Sequence, residues 1–229
     1  MSSMTSDEQK QAVARASLEF IEPGNVVGLG TGSTAAHMVK FLGEKVRSGF
    51  KVTGIPTSIQ TKNLAASCGI PLVSFEEVQE IDVTIDGADE FDPQLNLIKG
   101  GGGALLREKV VASASKRVVI ITDASKQVQT LGKFPLPIEV IPFARPVIEK
   151  RVSALGARVA VRKEASGNIF TTDQGNQILD CAFGQIPDPS ALAGKLGQMP
   201  GIVEHGLFIG LASVVLLATE RGVEKLYAR

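Results

Sequence analysis

A chain of 229 residues with 44% hydrophobic content can bury a sizeable core, as one large domain or two unequal ones, and its composition excludes disorder. Its 24 basic and 24 acidic residues cancel to a net charge of +0, so it has no broad basic field for nucleic acid or an anionic membrane. Any anion it binds must be caught by local chemistry.

In chain order, Ser6 followed by Gln9 reads as a capping box, and Val13, Ala16 and Phe20 keep helical spacing until Pro23-Gly24 stops the helix. Lys10 lies on this helix, where an exposed lysine and a contributor of charge to an anion pocket are both open readings. Val26 to Leu29 then reads as a buried strand, Gly30 to Thr34 as a turn, and Ala35 to Val46 as a helix with Ala35, Met38 or Val39, Leu42 and Val46 inward. The turn with Ala35 satisfies the loose GxGxxA form of a dinucleotide fingerprint, but the acid expected about 20 residues on is missing. Thr31, Ser33 and Thr34 instead gather hydroxyls and, with Gly32, backbone N–H groups at a helix N-terminus, which suits a phosphate monoester. The plainer reading is a tight turn with a capping hydroxyl. No Walker loop is present.

Val52 to Ile55, a helix from Ile59 to Ser67, Leu72 to Phe75 and Ile81 to Ile85 continue an alternation of strands and helices. The densest chemistry follows. Asp86, Gly87, Ala88, Asp89, Glu90 and Asp92 come directly after the apolar stretch, and Lys99 and the four glycines Gly100 to Gly103 precede a helix opening near Ala104. Acids at the carboxyl end of a buried strand sit where open α/β sheets bind ligands. Successive glycines let backbone N–H groups approach an anion, and the helix dipole points at the same place. Glu108, about one turn into that helix, can transfer a proton, with Lys99 stabilising negative charge. The alternative makes Asp86 and Asp92 turn and cap residues and Arg107-Glu108-Lys109 a solvated face.

The strand Val118 to Thr122 brings Lys126 to the same sheet edge. After Leu131 the prolines of Phe134-Pro135-Leu136-Pro137 and Ile141-Pro142 interrupt the rhythm, and a boundary belongs there. Beyond it come a helix from Pro146 to Leu155, a strand from Arg158 to Arg162, and a hairpin of Ile169 to Thr172 with Gln177 to Cys181. A helix from Pro189 to Leu196 and a strand near Ile202 complete a small α+β unit, and Ala212 to Ala218 returns to the first sheet.

The distant cysteines Cys68 and Cys181 form no CxxC unit, and the polar stretch Met1–Gln9 lacks an apolar signal core. Both point to a cytoplasmic protein. Two histidines, His37 and His205, without a metal-ligand spacing, predict no metal site.

Six segments together resemble ribose-5-phosphate isomerase of the A type: GLGTGSTAAH at Gly28 to His37, IDGADEFD at Ile85 to Asp92, KGGGGALLREK at Lys99 to Lys109, DASKQV at Asp123 to Val128, LGKFPLPIEVIP at Leu131 to Pro142, and TDQGNQILD at Thr172 to Asp180. The resemblance implies an α/β fold, a Rossmann-like mostly parallel sheet domain (residues 1–131 with 207–229) carrying a smaller inserted α+β domain (132–206). It implies a homodimer or homotetramer that isomerises ribose 5-phosphate without cofactor or metal, and partners limited to a small sugar phosphate. It further implies that Thr31, Gly32, Ser33 and Thr34 hold part of the substrate. The segments Asp86, Gly87, Ala88, Asp89 and Lys99, Gly100, Gly101, Gly102 would line the pocket, with Lys126 completing it. Glu108 matches the catalytic base, Lys99 the stabiliser of the oxyanion, and Asp86 a group aiding ring opening or proton exchange, with Asp89 beside them.

Two other classes remain open on the residues alone. A non-catalytic sugar-phosphate sensor would use the same pocket but would need a DNA-binding module, and no basic helix-turn-helix is present. An acyl or CoA transferase would use a glutamate as nucleophile, but a chain of 24.1 kDa lacks the second half such a fold needs.

Overall fold

The computed structural model describes residues 4–228, so the start of the polar stretch Met1–Gln9 lies outside the described residues. Contacts divide the chain into two compact units. The first comprises Met1–Ala88, Arg107–Gln127 and Gly210–Arg229, and the second Asp89–Leu106 and Val128–Ile209.

The first unit is built on a six-stranded sheet ordered Gly222–Tyr227, Val214–Thr219, Val118–Asp123, Val83–Asp86, Val26–Leu29, Thr53–Pro56. Every pairing is parallel except that of the Gly222–Tyr227 edge strand. The central strands read as continuous apolar runs because both faces are covered. Val27, Leu29, Ile85, Val119 and Leu216 point into a core completed by Val13, Met38 and Leu42 from the helices Ser6–Ser17 and Ser33–Arg47. Ile55, Ile81 and Val111 form a second cluster, the last from the helix Leu105–Ser113. The edge strand turns Glu224 and Lys225 to solvent, charges that discourage pairing with another chain.

Strand order also identifies the ligand edge. From Val26–Leu29 the chain goes to a neighbour on one side, Thr53–Pro56, and then returns to Val83–Asp86 on the other. That reversal is a topological switch point, and the carboxyl ends of the two strands that flank it carry Gly30 and Asp86.

The second unit holds a four-stranded antiparallel sheet, Ile202–His205, Leu136–Val140, Gln177–Ala182, Arg158–Val161, and a three-stranded one, Leu207–Phe208, Leu97–Ile98, Glu90–Phe91. Both feed one core: Leu136, Ile138 and Leu179 from the larger sheet meet Ile98 and Leu207 from the smaller, under Ile148 and Val152 of the helix Arg145–Ala154. This shared core is why residues 89–106, expected with the first unit, group with the second.

Several local expectations are corrected. The first capping box is Thr5 with Glu8 rather than Ser6 with Gln9. Leu72 makes only an isolated bridge to Gly54, so Leu72 to Phe75 is not a strand. Leu136–Val140, read as a proline-broken stretch, is an inner strand of its sheet, with the Pro137 carbonyl accepting from Gly206 N at 2.8 Å. Gln177–Ala182 pairs along its length with Leu136–Val140 and Arg158–Val161, and Ile169 to Thr172 contributes bridges only. Among the described residues no helix is long and apolar enough to cross a membrane.

Candidate active site

In the first unit the site is organised by Asp86, only 2% exposed at the end of its strand. Its Oδ1 accepts the N–H of Thr31 at 3.1 Å and that of Gly87 at 2.7 Å. Gly30 makes this approach possible. A Cβ there would stand 2.3 Å from Asp86 Oδ1 and 2.6 Å from Asp86 Cα, so the glycine turn and the acid are fitted to each other. Gly32, at φ +110°, then opens the helix Ser33–Arg47, where Gly32 and Ser33 are exposed and Thr34 is half-buried. The N–H groups of that first turn supply the positive end of the helix dipole.

The Thr31 hydroxyl is engaged in a way the sequence did not suggest. It lies 2.7 Å from Thr57 Oγ1, 2.8 Å from Ser58 Oγ and 3.2 Å from Thr61 Oγ1. Thr61 Oγ1 in turn donates to Gly30 O at 2.9 Å, and Thr57 Oγ1 to Leu29 O at 3.0 Å. All three partners are buried. Their hydroxyls hold the turn in place, and both the Thr31 hydroxyl and its backbone N–H are spent on the protein itself. Ser58 is also the N-cap of Ile59–Ser67, and no local pattern in the sequence links it to Thr31.

Glu108 lies in the first turn of the helix Leu105–Ser113 and is 5% exposed. The solvated-face reading therefore fails for this residue; Val110, 46% exposed, marks the outer side of the helix. Lys126 sits half-buried in a single 3-10 turn, Ala124–Lys126, capped by Asp123 Oδ1 accepting from Ser125 N at 2.9 Å. That turn follows the strand Val118–Asp123, the sheet neighbour of Val83–Asp86. Lys10 is half-buried on the first helix, and His37 meets Asp7 at 3.0 Å.

In the second unit the acids of the Asp86 to Asp92 run separate by task. Asp92 is a turn residue: Oδ1 accepts from Gln94 N at 2.9 Å and Asn96 N at 2.8 Å. Glu90, 3% exposed, accepts from Gly132 N at 2.8 Å and from Phe134 N, tying its strand to the loop that leads into Leu136–Val140. Asp89 alone faces the glycine loop, its Oδ2 accepting from Gly101 N at 2.7 Å. A Cβ on Gly101 would meet Asp89 Oδ1 at 2.5 Å.

Lys99 is 3% exposed, its backbone N–H bonded to Gly206 O at 2.9 Å and its ammonium 5.5 Å from the centroid of the Phe208 ring. Gly206 was not singled out from sequence. A Cβ there would lie 2.3 Å from Lys99 O, so it is the bare backbone against which Lys99 is laid. Gly100 at φ +100° and Gly103 at φ +82° close a turn through Gly103 N to Gly100 O at 3.0 Å. Gly101 and Gly102 are exposed on it, the Gly101 amide committed to Asp89. Among the described residues no group of three or more His, Cys, Asp or Glu is arranged to hold a metal ion.

The chain was compared with known proteins. The family model "Ribose 5-phosphate isomerase A (phosphoriboisomerase A)" matches residues 53–222. A ribose-5-phosphate isomerase A of Nitrobacter hamburgensis is 54% identical over 226 residues, covering 96% of this chain and 97% of that one. A structure of D-ribose-5-phosphate isomerase in complex with phospho-erythronic acid superposes with a TM-score of 0.95 at 42% identity, covering 98% of this chain and 100% of the other. Ribose 5-phosphate isomerase A of Methanocaldococcus jannaschii gives 0.93 at 40% identity, covering 97% and 100%.

Proposed function

Because the chain belongs to the ribose-5-phosphate isomerase A family and interconverts D-ribose 5-phosphate and D-ribulose 5-phosphate through an enediolate, in the non-oxidative pentose phosphate pathway, we propose that Glu108 is its proton-transfer base. The observation that carries this assignment is a carboxylate 5% exposed in the first turn of the helix following the glycine loop. In the open-chain aldose, Glu108 takes the proton from C2, the C2 electrons form the enediolate double bond, and the aldehyde oxygen takes up the negative charge. A proton passes from the C2 hydroxyl to the C1 oxygen, and Glu108 returns its own proton to C1, leaving a hydroxyl at C1 and the ketone at C2. The reaction is neutral overall in protons and electrons, and it asks of the protein one base and positive charge at the oxygen.

The Lys99 ammonium supplies that charge. Asp86 assists ring opening and proton exchange between the oxygens, and Asp89 joins it with its carboxylate oriented by Gly101. The amides of Gly32, Ser33, Thr34 and Gly102, with Lys126 and Lys10, receive the anionic substrate, and Thr31, Gly87, Ala88, Gly100 and Gly101 line its path. The phospho-erythronic acid held by a relative at 42% identity, an anionic sugar-acid phosphate, supports this reading. The same reading includes a cytoplasmic enzyme that needs no cofactor and works as a homodimer or homotetramer, an assembly that sedimentation equilibrium measures directly.

The assignment is tested by following ketose formation from ribose 5-phosphate in EDTA, with Glu108→Gln alongside. Loss of the base should lower turnover by about 10²- to 10⁴-fold. Wild-type turnover in Glu108→Gln ends the proposal. Binding of the sugar phosphate without turnover by the unmutated protein moves the reading to a sensor.

A further inference from the structure

The glycine loop is held from behind by a cation that the reaction does not use. Arg162 follows the strand Arg158–Val161, its backbone fixed by Arg162 N to Ile178 O at 2.8 Å and by Phe170 N to Arg162 O at 3.0 Å. Its guanidinium is divided between two tasks. Nε donates to Asp180 Oδ2 at 3.0 Å and Nη2 to Asp180 Oδ1, a two-pronged pair, while Nη1 donates to Gly100 O at 2.8 Å and Gly101 O at 3.1 Å. The side chain is 13% exposed, and Phe170 fills the space beside it against Gly103.

A trans peptide points its C=O and N–H in opposite directions. The carbonyl of Gly100 and the N–H of Gly101 belong to one such plane: the oxygen is on Arg162, and the hydrogen is on Asp89 Oδ2 at 2.7 Å. The next plane repeats the arrangement, with Gly101 O on Arg162, so that the Gly102 N–H points away from the guanidinium. A cation on a carbonyl oxygen shortens and strengthens that hydrogen bond and polarises the amide beyond it. Glycines have no side chain to fix their own peptide planes, so a loop of four needs an outside clamp.

We infer that Arg162, oriented by Asp180, is a positioning residue for the isomerase. It sets the peptide planes at Gly100, Gly101 and Gly102, and through the Gly101 amide it aims the Asp89 carboxylate. The hydrogen bonds of its guanidinium go to Asp180, Gly100 and Gly101, so it acts through them. Its effect belongs on turnover, because a misplacement of about 1 Å at a reacting group costs up to about 10²-fold in rate.

The inference rests on the isomerase reading, so the experiment starts with turnover of ribose 5-phosphate by the unmutated chain; no turnover there sinks both. Given turnover, Arg162→Met should lower kcat on the order of 10- to 100-fold, with a smaller rise in KM, in a protein that is less stable but still folded at the assay temperature. Arg162→Lys keeps one cationic donor but loses the fork, and should recover part of that kcat. In an Asp89→Asn background the same Arg162→Met change should cost much less, because the carboxylate aimed by the clamp is gone. Wild-type kcat in a folded Arg162→Met protein, a loss confined to KM, or equal fold-losses in both backgrounds would overturn the assignment. If Arg162→Met does not fold, Arg162→Lys decides by the same three readings.

Discussion

Replacing Gly30 by alanine tests whether the turn and Asp86 are one fitted object. The added Cβ would lie 2.3 Å from Asp86 Oδ1, 2.5 Å from Cγ and 2.6 Å from Cα. Swinging the carboxylate aside relieves the first two contacts but not the third, which is backbone in a strand paired on both sides. Overpacking of this kind costs about 1–3 kcal/mol. Displacing the carboxylate also forfeits the hydrogen bonds from Thr31 N and Gly87 N, each worth about 1.5–3 kcal/mol to a charged acceptor. The expected loss is roughly 4–9 kcal/mol, much of the 5–15 kcal/mol or so that holds a typical domain together. Gly101→Ala is the matched control. The three atoms nearest its Cβ are Oδ1, Oδ2 and Cγ of the Asp89 side chain, so a side-chain rotation relieves those contacts. Urea unfolding followed by circular dichroism should show Gly30→Ala severely destabilised and Gly101→Ala, which loses the one bond from Gly101 N to Asp89, no more than about 3 kcal/mol below the parent, while isomerase turnover falls in both. A Gly30→Ala protein within about 1 kcal/mol of the parent would refute the argument.

Two further predictions concern pH. Burial, with the Asp180 charge nearby, pushes the Cys181 thiol from 9.0 up to about 12. A raised pKa means the unfolded chain ionises first, so the contribution to stability is complete below pH 9 and is lost as pH rises toward 12. Between pH 9 and 10 the parent should lose about 1.0 kcal/mol more than Cys181→Ala in urea titrations, and parallel curves would contradict this. Asp82 is held below its usual 3.8, first by the Val26 N–H and then by Lys116. A lowered pKa gives stability that is present above 3.8 and lost as pH falls through the folded-state value. The advantage of the parent over Asp82→Asn should therefore shrink between pH 6 and pH 3; an unchanged gap in urea midpoints would rule it out.

Much of the candidate site could be proposed from sequence because its residues are clustered there and each stretch has a local reason. An apolar strand ending in Asp86, a glycine run before a helix, and Glu108 one turn later are signals of spacing and period. What local pattern could not do was divide the acids. Asp92 and Glu90 read like Asp86 and Asp89 until their partners are known: Asn96 closes the turn on Asp92, whereas Glu90 is claimed by Gly132 and Phe134, 42 and 44 residues away. Thr57 and Thr61 were passed over for a similar reason, since nothing near them in sequence says that they close on Thr31.

The sequence by itself determined the alternation of strands and helices, the parallel character of the main sheet and the two glycine turns, because hydrophobic period and backbone permissiveness are properties of short windows. Tertiary structure decided what no window contains. It turned the proline-flanked Leu136–Val140 into an inner strand by giving it two partners, and it drew residues 89–106 into the second unit through the shared core at Ile98 and Leu207. It laid Lys99 against Gly206 and brought Arg162 onto Gly100 across 62 residues. Those contacts depend on which strands pair and in what register, and that is set only when the whole chain has chosen which surfaces to bury.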